Sequence, residues 1–464
     1  MKKPWMILFF FLLIPALSFS ATPIAKEKKT AKKPTKIAGP KVDESICLGC
    51  HPEIQALWES GKHNRAANCA VCHLETAGHL DDIFKKPVTR LDLEACGSCH
   101  KDQYRTLMEV NVKSRAKVEK ATTTSRSPTF GRTSTRKESS GTWWWTRARS
   151  CRKRRRPPIR CAFPAGCIHC HDPHATKPRV IQSPLIQAAV DRGEGTYPYD
   201  PKKSGEVTIR KIMFPRDGQD FRAIGILNKP DSNVLCAQCH VEYNCNPGID
   251  TKTGGPVGME DRRTNYYPWV NVFDLQKRYE SIAFKDFRHS LTGAALTKIQ
   301  HPDVESYWGS KHERAGVECK HCHMPKMKQK EKEFTFHGQR SARYLLKDTC
   351  VRCHPQWSPE QAEYQVDAVQ NYIRGKMRKA EFWLGELISA FGRAKDAGAG
   401  EEALDEARKE HDRAHILWEW WTAENSDGFH NPEMARQSLA ESINASQKGI
   451  EILNKAVAQK AAPK

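Results

Sequence analysis

Fourteen of the 17 cysteines belong to copies of one five-residue pattern, Cys-x-x-Cys-His. The seven copies occupy residues 47–51, 69–73, 96–100, 167–171, 236–240, 319–323 and 350–354. Random placement of these residues would give far fewer than one copy. Two thiols at this spacing can add to the two vinyl groups of a porphyrin, and the histidine that follows supplies an axial nitrogen to iron. The pattern therefore predicts covalent c-type haem attachment at seven sites.

The pattern defines two sets of residues with different chemistry. The predicted thioether cysteines are Cys47, Cys50, Cys69, Cys72, Cys96, Cys99, Cys167, Cys170, Cys236, Cys239, Cys319, Cys322, Cys350 and Cys353. The predicted proximal iron ligands are His51, His73, His100, His171, His240, His323 and His354. Disulfides would not need a histidine after every second cysteine, and zinc sites use separately spaced histidines. Haem c is therefore the predicted cofactor.

Local signals in the cysteine-free residues 358–464 predict three helices. Ser358 begins the first with a capping box and a proline at the first helical position, and glycines 398 and 400 end it. The second is predicted from about 401 to 421 and the third after Asn431. Strand signals are nearly absent. The expected fold class is a mainly α multihaem cytochrome c with little β structure, closely packed haems and a long C-terminal helical region.

The N-terminal residues predict export. Residues 1–20 have two lysines, an apolar run from Trp5 to Leu17 and small residues before Ala21, as a secretory signal peptide does. An uncleaved anchor is the alternative. Residues 21–45 are rich in Lys, Pro and Ala and are interpreted as a tether. Covalent haem attachment outside the membrane suits the bacterial periplasm as the location.

The remaining chain divides by the spacing of its haem motifs. The predicted units are a three-haem module at 46–112, a basic segment at 113–160, a four-haem core at 161–357 and the C-terminal helices at 358–464. The basic segment has sixteen Lys or Arg against two Glu, and so holds most of the net charge of +21. Because this charge is confined to one patch of an exported haem protein, nucleic-acid binding is a poor interpretation.

The basic segment lacks the apolar periodicity of a helix or a strand. Three interpretations remain open: a basic docking loop, a disordered insert, and a shifted reading frame or deletion. We favour the last, because sequence typical of a haem protein stops abruptly and resumes by Gly166.

Beyond the haem motifs, residues 167–464 resemble the ammonia-forming cytochrome c nitrite reductases. The segments that carry the resemblance are Cys236–Tyr243, Ile282–Phe284, Lys298–Pro302, Ser310–His312, Cys319–Lys326 and the last motif before the helical tail. They stand in the order of that family with similar spacing. The three extra N-terminal motifs resemble its octahaem branch, in which a three-haem module precedes a five-haem core and eight haems are expected.

The resemblance implies roles for several residues. Tyr243 and His301 correspond to the tyrosine and histidine beside bound nitrite, where they would donate hydrogen bonds and protons. Glu242 and Gln300, with the backbone carbonyls of Tyr243 and Lys298, correspond to a calcium site.

The resemblance also implies distal haem ligands. His312 would serve the haem at 350–354, His337 the haem at 167–171 and His430 the haem at 319–323. His63 is added from the residues themselves, because it precedes Cys69 much as His312 precedes Cys319. His79 and His174 are weaker candidates, and Cys151, Cys161 and Cys245 remain unassigned.

The working haem of that family is attached through Cys-x-x-Cys-Lys, a pattern that this sequence lacks. Two function classes therefore stay open. The first is six-electron reduction of nitrite to ammonium, with hydroxylamine and sulfite as other substrates and an octahaem hydroxylamine oxidoreductase as a variant. The second is a non-catalytic multihaem electron carrier. Resequencing the DNA of codons 110–165 separates them, because a restored Cys-x-x-Cys-Lys favours the enzyme. Expected partners are nitrite, a quinol-linked cytochrome donor and further copies of the chain.

The motif count predicts seven covalently attached haems on the purified mature chain. Intact mass spectrometry should show seven haem additions after removal of the signal peptide. A correctly matured chain with five or fewer haems would contradict the interpretation.

Overall fold

The computed structural model describes residues 42–108, 166–190, 209–216, 219–227, 231–329 and 331–461, except residues 84, 86 and 91. The predicted signal peptide, nearly all of the predicted tether and the basic segment 113–160 lie outside the described residues, as do Cys151 and Cys161. Among the helices that are described, none has the length and apolar character needed to cross a membrane.

The haem motifs lie on short helices that either contain a motif or run into it. These helices are Glu44–Cys50, Cys69–Cys72, Leu93–Gly97, Cys167–Cys170, Ser232–Cys236, Cys319–His323 and Cys350–Cys353. In most of them the backbone N–H of the motif histidine donates to the carbonyl of the first cysteine, as in His240 to Cys236 at 2.8 Å. One helical turn therefore brings both thiols and the imidazole to the same side of the backbone.

Other short elements connect the motifs. The helices are Pro52–Ser60, Thr76–Asp81, Ser183–Val190, Val272–Ser281, Asp303–Tyr307 and Lys311–Arg314, and residues 101–108 are also helical. The 3-10 turns are His63–Arg65, Arg262–Thr264 and Ala342–Tyr344. The small antiparallel sheets pair His73–Leu74 with Val88–Thr89, Gly248–Asp250 with Pro256–Val257 and Phe284–Lys285, Phe287–Arg288 with Ala295–Leu296, and Lys326–Gln329 with Lys332–Thr335.

The longest strands form a hairpin that the sequence signals did not predict. Ile209–Arg216 pairs antiparallel with Gln219–Leu227, and the register shifts between Phe214 and Arg216. The shift surrounds Pro215, which has no N–H for the ladder. On its other edge Gln219–Leu227 pairs with Arg179–Val180, which follows the motif at 167–171. The fold is otherwise mainly α, so the predicted fold class is confirmed.

Three long helices, Pro359–Asp396, Glu401–Ala423 and Pro432–Ala461, form the C-terminal bundle. The predicted capping box at Ser358 is confirmed, because its Oγ accepts from the N–H of Gln361 and its own N–H donates to Oε1 of Gln361. Large apolar side chains from all three helices pack together with residues that precede them in the chain. This core includes Ile373, Leu417, Trp420, Trp421 and Leu439 from the bundle and Leu275, Tyr279 and Phe284 from outside it.

Buried polar contacts fix the bundle against the haem-binding core. The indole N–H of Trp420 donates to Oγ of Ser306 at 2.7 Å, and the side-chain amide of Asn431 donates to the carbonyl of Trp308 at 3.0 Å. The ammonium of Lys285 lies 2.6 Å from Oδ2 of Asp412, and both side chains are buried. The bundle therefore holds the loop around residues 301–308 in place.

The N-terminal module also contacts the core directly. The backbone N–H of Lys62 donates to Oγ1 of Thr176 at 2.9 Å, and the backbone N–H of His337 donates to Oγ1 of Thr106 at 3.1 Å. The two predicted units therefore share an interface.

Replacing Lys285 by methionine is expected to destabilise the fold by about 3–5 kcal/mol, because Asp412 would remain buried without its cation. The shift in the midpoint of thermal unfolding, followed by far-UV circular dichroism, measures the effect. Lys448→Met is the matched control, because Lys448 pairs with Glu410 on the surface and should matter little. Equal shifts for the two variants would contradict the prediction.

Candidate haem centres and substrate pocket

Each motif histidine lies opposite one second histidine. The pairs are His51 with His79, His73 with His174, His100 with His63, His171 with His337, His240 with His301, His323 with His430 and His354 with His312. Their ring centres are 6.1–6.4 Å apart. The two members of most pairs lie far apart in the sequence, so the fold brings them together.

This spacing fits two imidazoles bound to one iron. A metal–imidazole bond is about 2.0 Å long and the ring centre lies about 1.1 Å behind the bonding nitrogen, so two trans ligands have ring centres about 6.2 Å apart. Stacked rings lie closer, as His354 and Trp357 do at 4.3 Å, but tilted and edge-on contacts reach the same range, as His411 and His415 do at 6.3 Å. The distance therefore carries weight only together with the motif cysteines beside each pair. The seven pairs are therefore the residues that would hold haem iron, next to the cysteines that would attach the porphyrin.

Four of the second histidines are those proposed as distal ligands from the sequence. His312, His337 and His430 lie beside the motif histidines that the resemblance implies, and His63 lies beside His100. Their roles as ligands remain predictions.

The other three second histidines carry less signal in the sequence. The weaker candidates His79 and His174 lie opposite His51 and His73. His301, expected in the substrate pocket, lies opposite His240. No local pattern marks these pairings.

Hydrogen bonds to Nδ1 orient several of these rings. His63 contacts the carbonyl of Pro173 at 2.8 Å, His79 that of Lys85 at 2.9 Å and His337 that of Thr335 at 2.8 Å. A ring whose Nδ1 donates to a carbonyl keeps Nε2 unprotonated and available for iron. The protein therefore selects the tautomer that a haem ligand needs.

The thiols connect the seven sites in sequence order. The first cysteines of sites one and two, three and four, and five and six are neighbours: Cys47 and Cys69, Cys96 and Cys167, and Cys236 and Cys319. The second cysteine of sites two, four and six lies near the next site: Cys72 near Cys96 and Cys99, Cys170 near Cys236 and Cys239, and Cys322 near Cys350 and Cys353. The sites therefore form one continuous row.

The predicted pocket residues Tyr243 and His301 are neighbours, with ring centres 5.2 Å apart. Tyr243 also stacks on Tyr267 at 5.6 Å. Burial raises the pKa of Tyr243 to about 12, so its phenol is protonated at neutral pH and can donate. Burial lowers the pKa of His301, whose Nδ1 is buried without a hydrogen-bond partner among the described residues. A neutral imidazole can bind iron or donate one hydrogen bond.

Asp303, two residues after His301, contacts the motif histidine on the other side of this pair. Its Oδ2 lies 2.8 Å from Nδ1 of His240, and its backbone N–H donates to the carbonyl of His301. Burial opposes ionisation of Asp303, but hydrogen bonds from His240 and Asn425 and the charge of His430 keep its pKa below the ordinary value. His301 and the start of the helix Asp303–Tyr307 therefore supply both a ring opposite His240 and a carboxylate that orients His240.

Glu242 is completely buried in a cluster of acidic side chains. Its Oε2 accepts from the backbone N–H of Gln300 at 2.8 Å and its Oε1 from the hydroxyl of Tyr279 at 3.1 Å. Burial raises its pKa well above the ordinary value, and the charges of Asp286 and Glu419 raise it further. Both of these hydrogen-bond donors are neutral groups, so no ion pair offsets the burial of Glu242 among the described residues.

The predicted calcium ligands fit this environment. The side-chain nitrogen of Gln300, Oε2 of Glu305 and Oδ1 of Asp286 are buried without hydrogen-bond partners in the described part of the chain. An amide rotated by 180° would present its oxygen at the same place. Calcium prefers carboxylate and carbonyl oxygens. Glu242 and Gln300, with the carbonyls of Tyr243 and Lys298, remain the residues predicted to hold the ion and to fix the adjoining loops.

A sequence model of the family described as cytochrome c552 matches residues 124–464. The chain belongs to this family. The match covers the four motifs from 167 to 354, the candidate pocket and the C-terminal bundle, and the family binds haem c.

Two curated relatives show what the chain resembles. It is 29% identical over 311 residues to the cytochrome c nitrite reductase subunit NrfA of Nitratidesulfovibrio vulgaris, covering 62% of this chain and 52% of the relative. It is 29% identical over 292 residues to cytochrome c-552 of Haemophilus influenzae, covering 60% and 49%. The chain therefore spans about half the length of these relatives. It is a nitrite reductase-like multihaem cytochrome.

Among solved structures, the chain matches a cytochrome c nitrite reductase from Desulfovibrio desulfuricans, whose catalytic subunit has two calcium sites. The TM-score is 0.48 and the sequence identity 25%, and the match covers 64% of this chain and 60% of the solved one.

Sequence reasoning missed two residues next to the haem ligands. Asp303 and Glu424 each contact a histidine of a pair, and both are buried. For Asp303, the available signal in the sequence was its position two residues after His301. For Glu424 the sequence gives none, because its contact depends on how the loop between the last two helices packs.

Replacing Gln300 by leucine is expected to remove calcium and to shift His301 without releasing haem, because a hydrocarbon side chain cannot replace an oxygen ligand. Metal analysis after gel filtration measures bound calcium, and the pyridine haemochrome assay measures haem. Gln437→Leu, on an exposed surface of the last helix, is the control. A parent protein that contains no calcium would contradict the assignment.

Proposed function

We propose that the chain is a seven-haem electron-transfer cytochrome derived from the nitrite reductase fold. The observation that supports the proposal best is that every motif histidine has a second imidazole 6.1–6.4 Å away. Haem bound at these sites would supply reversible one-electron chemistry, and an iron with two histidine ligands has no position for a substrate.

The contacts between consecutive sites support transfer along the chain. At least one cysteine of each site lies near a cysteine of the next site. Porphyrins attached through these cysteines would have neighbouring edges. The row crosses from the N-terminal module into the core through Cys96 and Cys167. Electrons entering at either end could therefore reach every site.

In this proposal His301 is an axial ligand. It pairs with His240 at the fifth site, and its ring is neutral and partly buried. The same residue would act as a proton donor beside nitrite if it faced a further haem whose iron had a free coordination position. The role of His301 therefore separates the electron carrier from the enzyme.

Six-electron reduction of nitrite to ammonium is the second candidate. The adjacent rings of Tyr243 and His301 favour it, since a protonated phenol and an imidazole can deliver protons to nitrogen–oxygen bonds. The names of the relatives favour it too. This reaction needs an iron with an open position, which none of the seven described pairs provides. Reduction of hydroxylamine or sulfite and oxidation of hydroxylamine would need the same open position.

The proposed setting is the bacterial periplasm, with a membrane-bound or periplasmic quinol-linked cytochrome as electron donor. Export through the N-terminal signal and assembly into a homo-oligomer are parts of this proposal. Fractionation of the native host and light scattering of the haem-loaded protein test them.

The chain is expected not to produce ammonium from nitrite at a rate typical of the family, because in this proposal each iron has a second imidazole as its sixth ligand. The assay uses reduced viologen as donor and counts ammonium, with a cytochrome c nitrite reductase as positive control. Rapid six-electron turnover would contradict the electron-carrier proposal and favour the enzyme.

His301→Ala is expected to convert one of seven haems from low spin to high spin, because it removes one of two axial ligands. Electron paramagnetic resonance counts the high-spin iron, and added imidazole should restore low spin. His289→Ala is the control, because His289 lies outside the seven pairs. A high-spin haem in the parent that His301→Ala leaves unchanged would show that His301 is not a ligand.

A further inference from the structure

Two buried carboxylates lie between the imidazoles of neighbouring haem sites. Asp303 Oδ2 is 2.8 Å from Nδ1 of His240, and Glu424 Oε1 is 2.5 Å from Nδ1 of His430. His240 belongs to the site at 236–240, and His430 lies opposite His323 in the next site. Asp303 and Glu424 are 6% and 4% exposed, so water screens them little.

The carboxylates belong to one network. Polar atoms of Asp303, Glu424 and His430 all lie within 4.8 Å of one another. Asn425 donates to Asp303 through its backbone N–H and through its side-chain amide, both at 2.7 Å. The backbone N–H of Gly428 donates to Oε2 of Glu424 at 3.1 Å. Both carboxylates are therefore held against their imidazoles by the loop between the last two helices.

Five other histidines of the pairs have neutral partners at the same ring nitrogen. Nδ1 of His63, His79, His323 and His337 contacts backbone carbonyls, and Nδ1 of His73 contacts the hydroxyl of Thr89. Nδ1 of His174 lies farther from a carboxylate, 3.9 Å from Oδ1 of Asp172, whose other oxygen pairs with Arg179. A full negative charge at Nδ1 makes the imidazole a stronger donor to iron than a carbonyl does. It also stabilises the more positive, oxidised state of the site.

We propose that Asp303 and Glu424 are positioning residues that lower the reduction potentials of the haem sites at 236–240 and 319–323. The proposal rests on the proposed function only in requiring haem at these two sites. It makes the fifth and sixth of the seven sites a low-potential section of the row, and the fifth lies beside Tyr243 and His301. Electrons there would have the strongest tendency to leave, either along the row or to an acceptor in the candidate pocket.

The test uses the full haem-loaded chain and the variants Asp303→Asn and Glu424→Gln, which keep side-chain shape and remove charge. Spectroelectrochemical titration follows the seven reduction steps expected from the motif count. Each variant should move one low-potential step upward, and the double variant should move two, while the remaining steps move much less. Asp367→Asn is the matched control, because that carboxylate pairs with Arg343 at a partly exposed site away from the network and should move none.

Further variants separate an electrostatic role from a structural one. Asp303→Glu keeps the charge and should restore the parent potential, whereas a residue needed only for packing would not be rescued in this way. Asn425→Ala removes two hydrogen bonds to Asp303 and should give a smaller upward shift. If Asp303→Asn does not mature, Glu424→Gln and Asn425→Ala decide the question. The proposal would be overturned if the charge-removing variants kept all seven haems and low-spin spectra but showed no shift in their reduction steps.

The two proposals can fail separately. Nitrite turnover or a persistent high-spin haem would overturn the electron-carrier proposal without affecting the potential shifts. Unshifted potentials in a protein with seven closed haems would overturn only the role of Asp303 and Glu424.

Discussion

The rest of the structure depends on one distance: two imidazoles that bind the same iron must have their ring centres about 6.2 Å apart. The haem motif sets only one of the two rings, since its helical turn places the cysteines and the histidine together. The second ring must come from elsewhere and must arrive within a few tenths of an ångström of the required distance. The sheet at Arg179–Val180 follows His174, and the C-terminal bundle contacts the segment that follows His301, so both help to position a second histidine.

In the pocket region, the requirement for a second iron ligand bears on the proposed function through His301. Tyr243, Glu242 and Gln300 stand where the family resemblance leads one to expect a substrate pocket and a calcium site. The attachment pattern of the catalytic haem is absent from the sequence, and His301 lies at the distance of an axial ligand from His240. His301, which is suited to deliver protons, is thereby available as the second axial ligand of the iron at His240. In the proposed electron carrier, Tyr243 and the acidic cluster around Glu242 would be kept while His301 serves as an iron ligand.

The sequence predicted the features that depend on local chemistry. The haem motifs are covalent signatures, and Ser358, Pro359 and Gln361 mark a helix start through contacts within one turn. The distal candidates His312, His337 and His430 came from the resemblance. His174 and the hairpin at 209–227 could not be predicted in the same way, because ring pairing over a hundred residues and strand pairing around Pro215 have no local signature. Asp303 and Glu424 likewise matter only through their neighbours in space.

The pairing of His73 with His174 has a further consequence for the integrity of the molecule. These residues lie on opposite sides of the basic segment 113–160, and the contacts of Lys62 with Thr176 and of His337 with Thr106 cross the same segment. With iron bound, the pair acts as a coordinate crosslink between the N-terminal module and the core. A cut in the peptide chain between them would leave two fragments that stay associated in the oxidised and the reduced protein alike. The row of haems would then be continuous although the polypeptide is not.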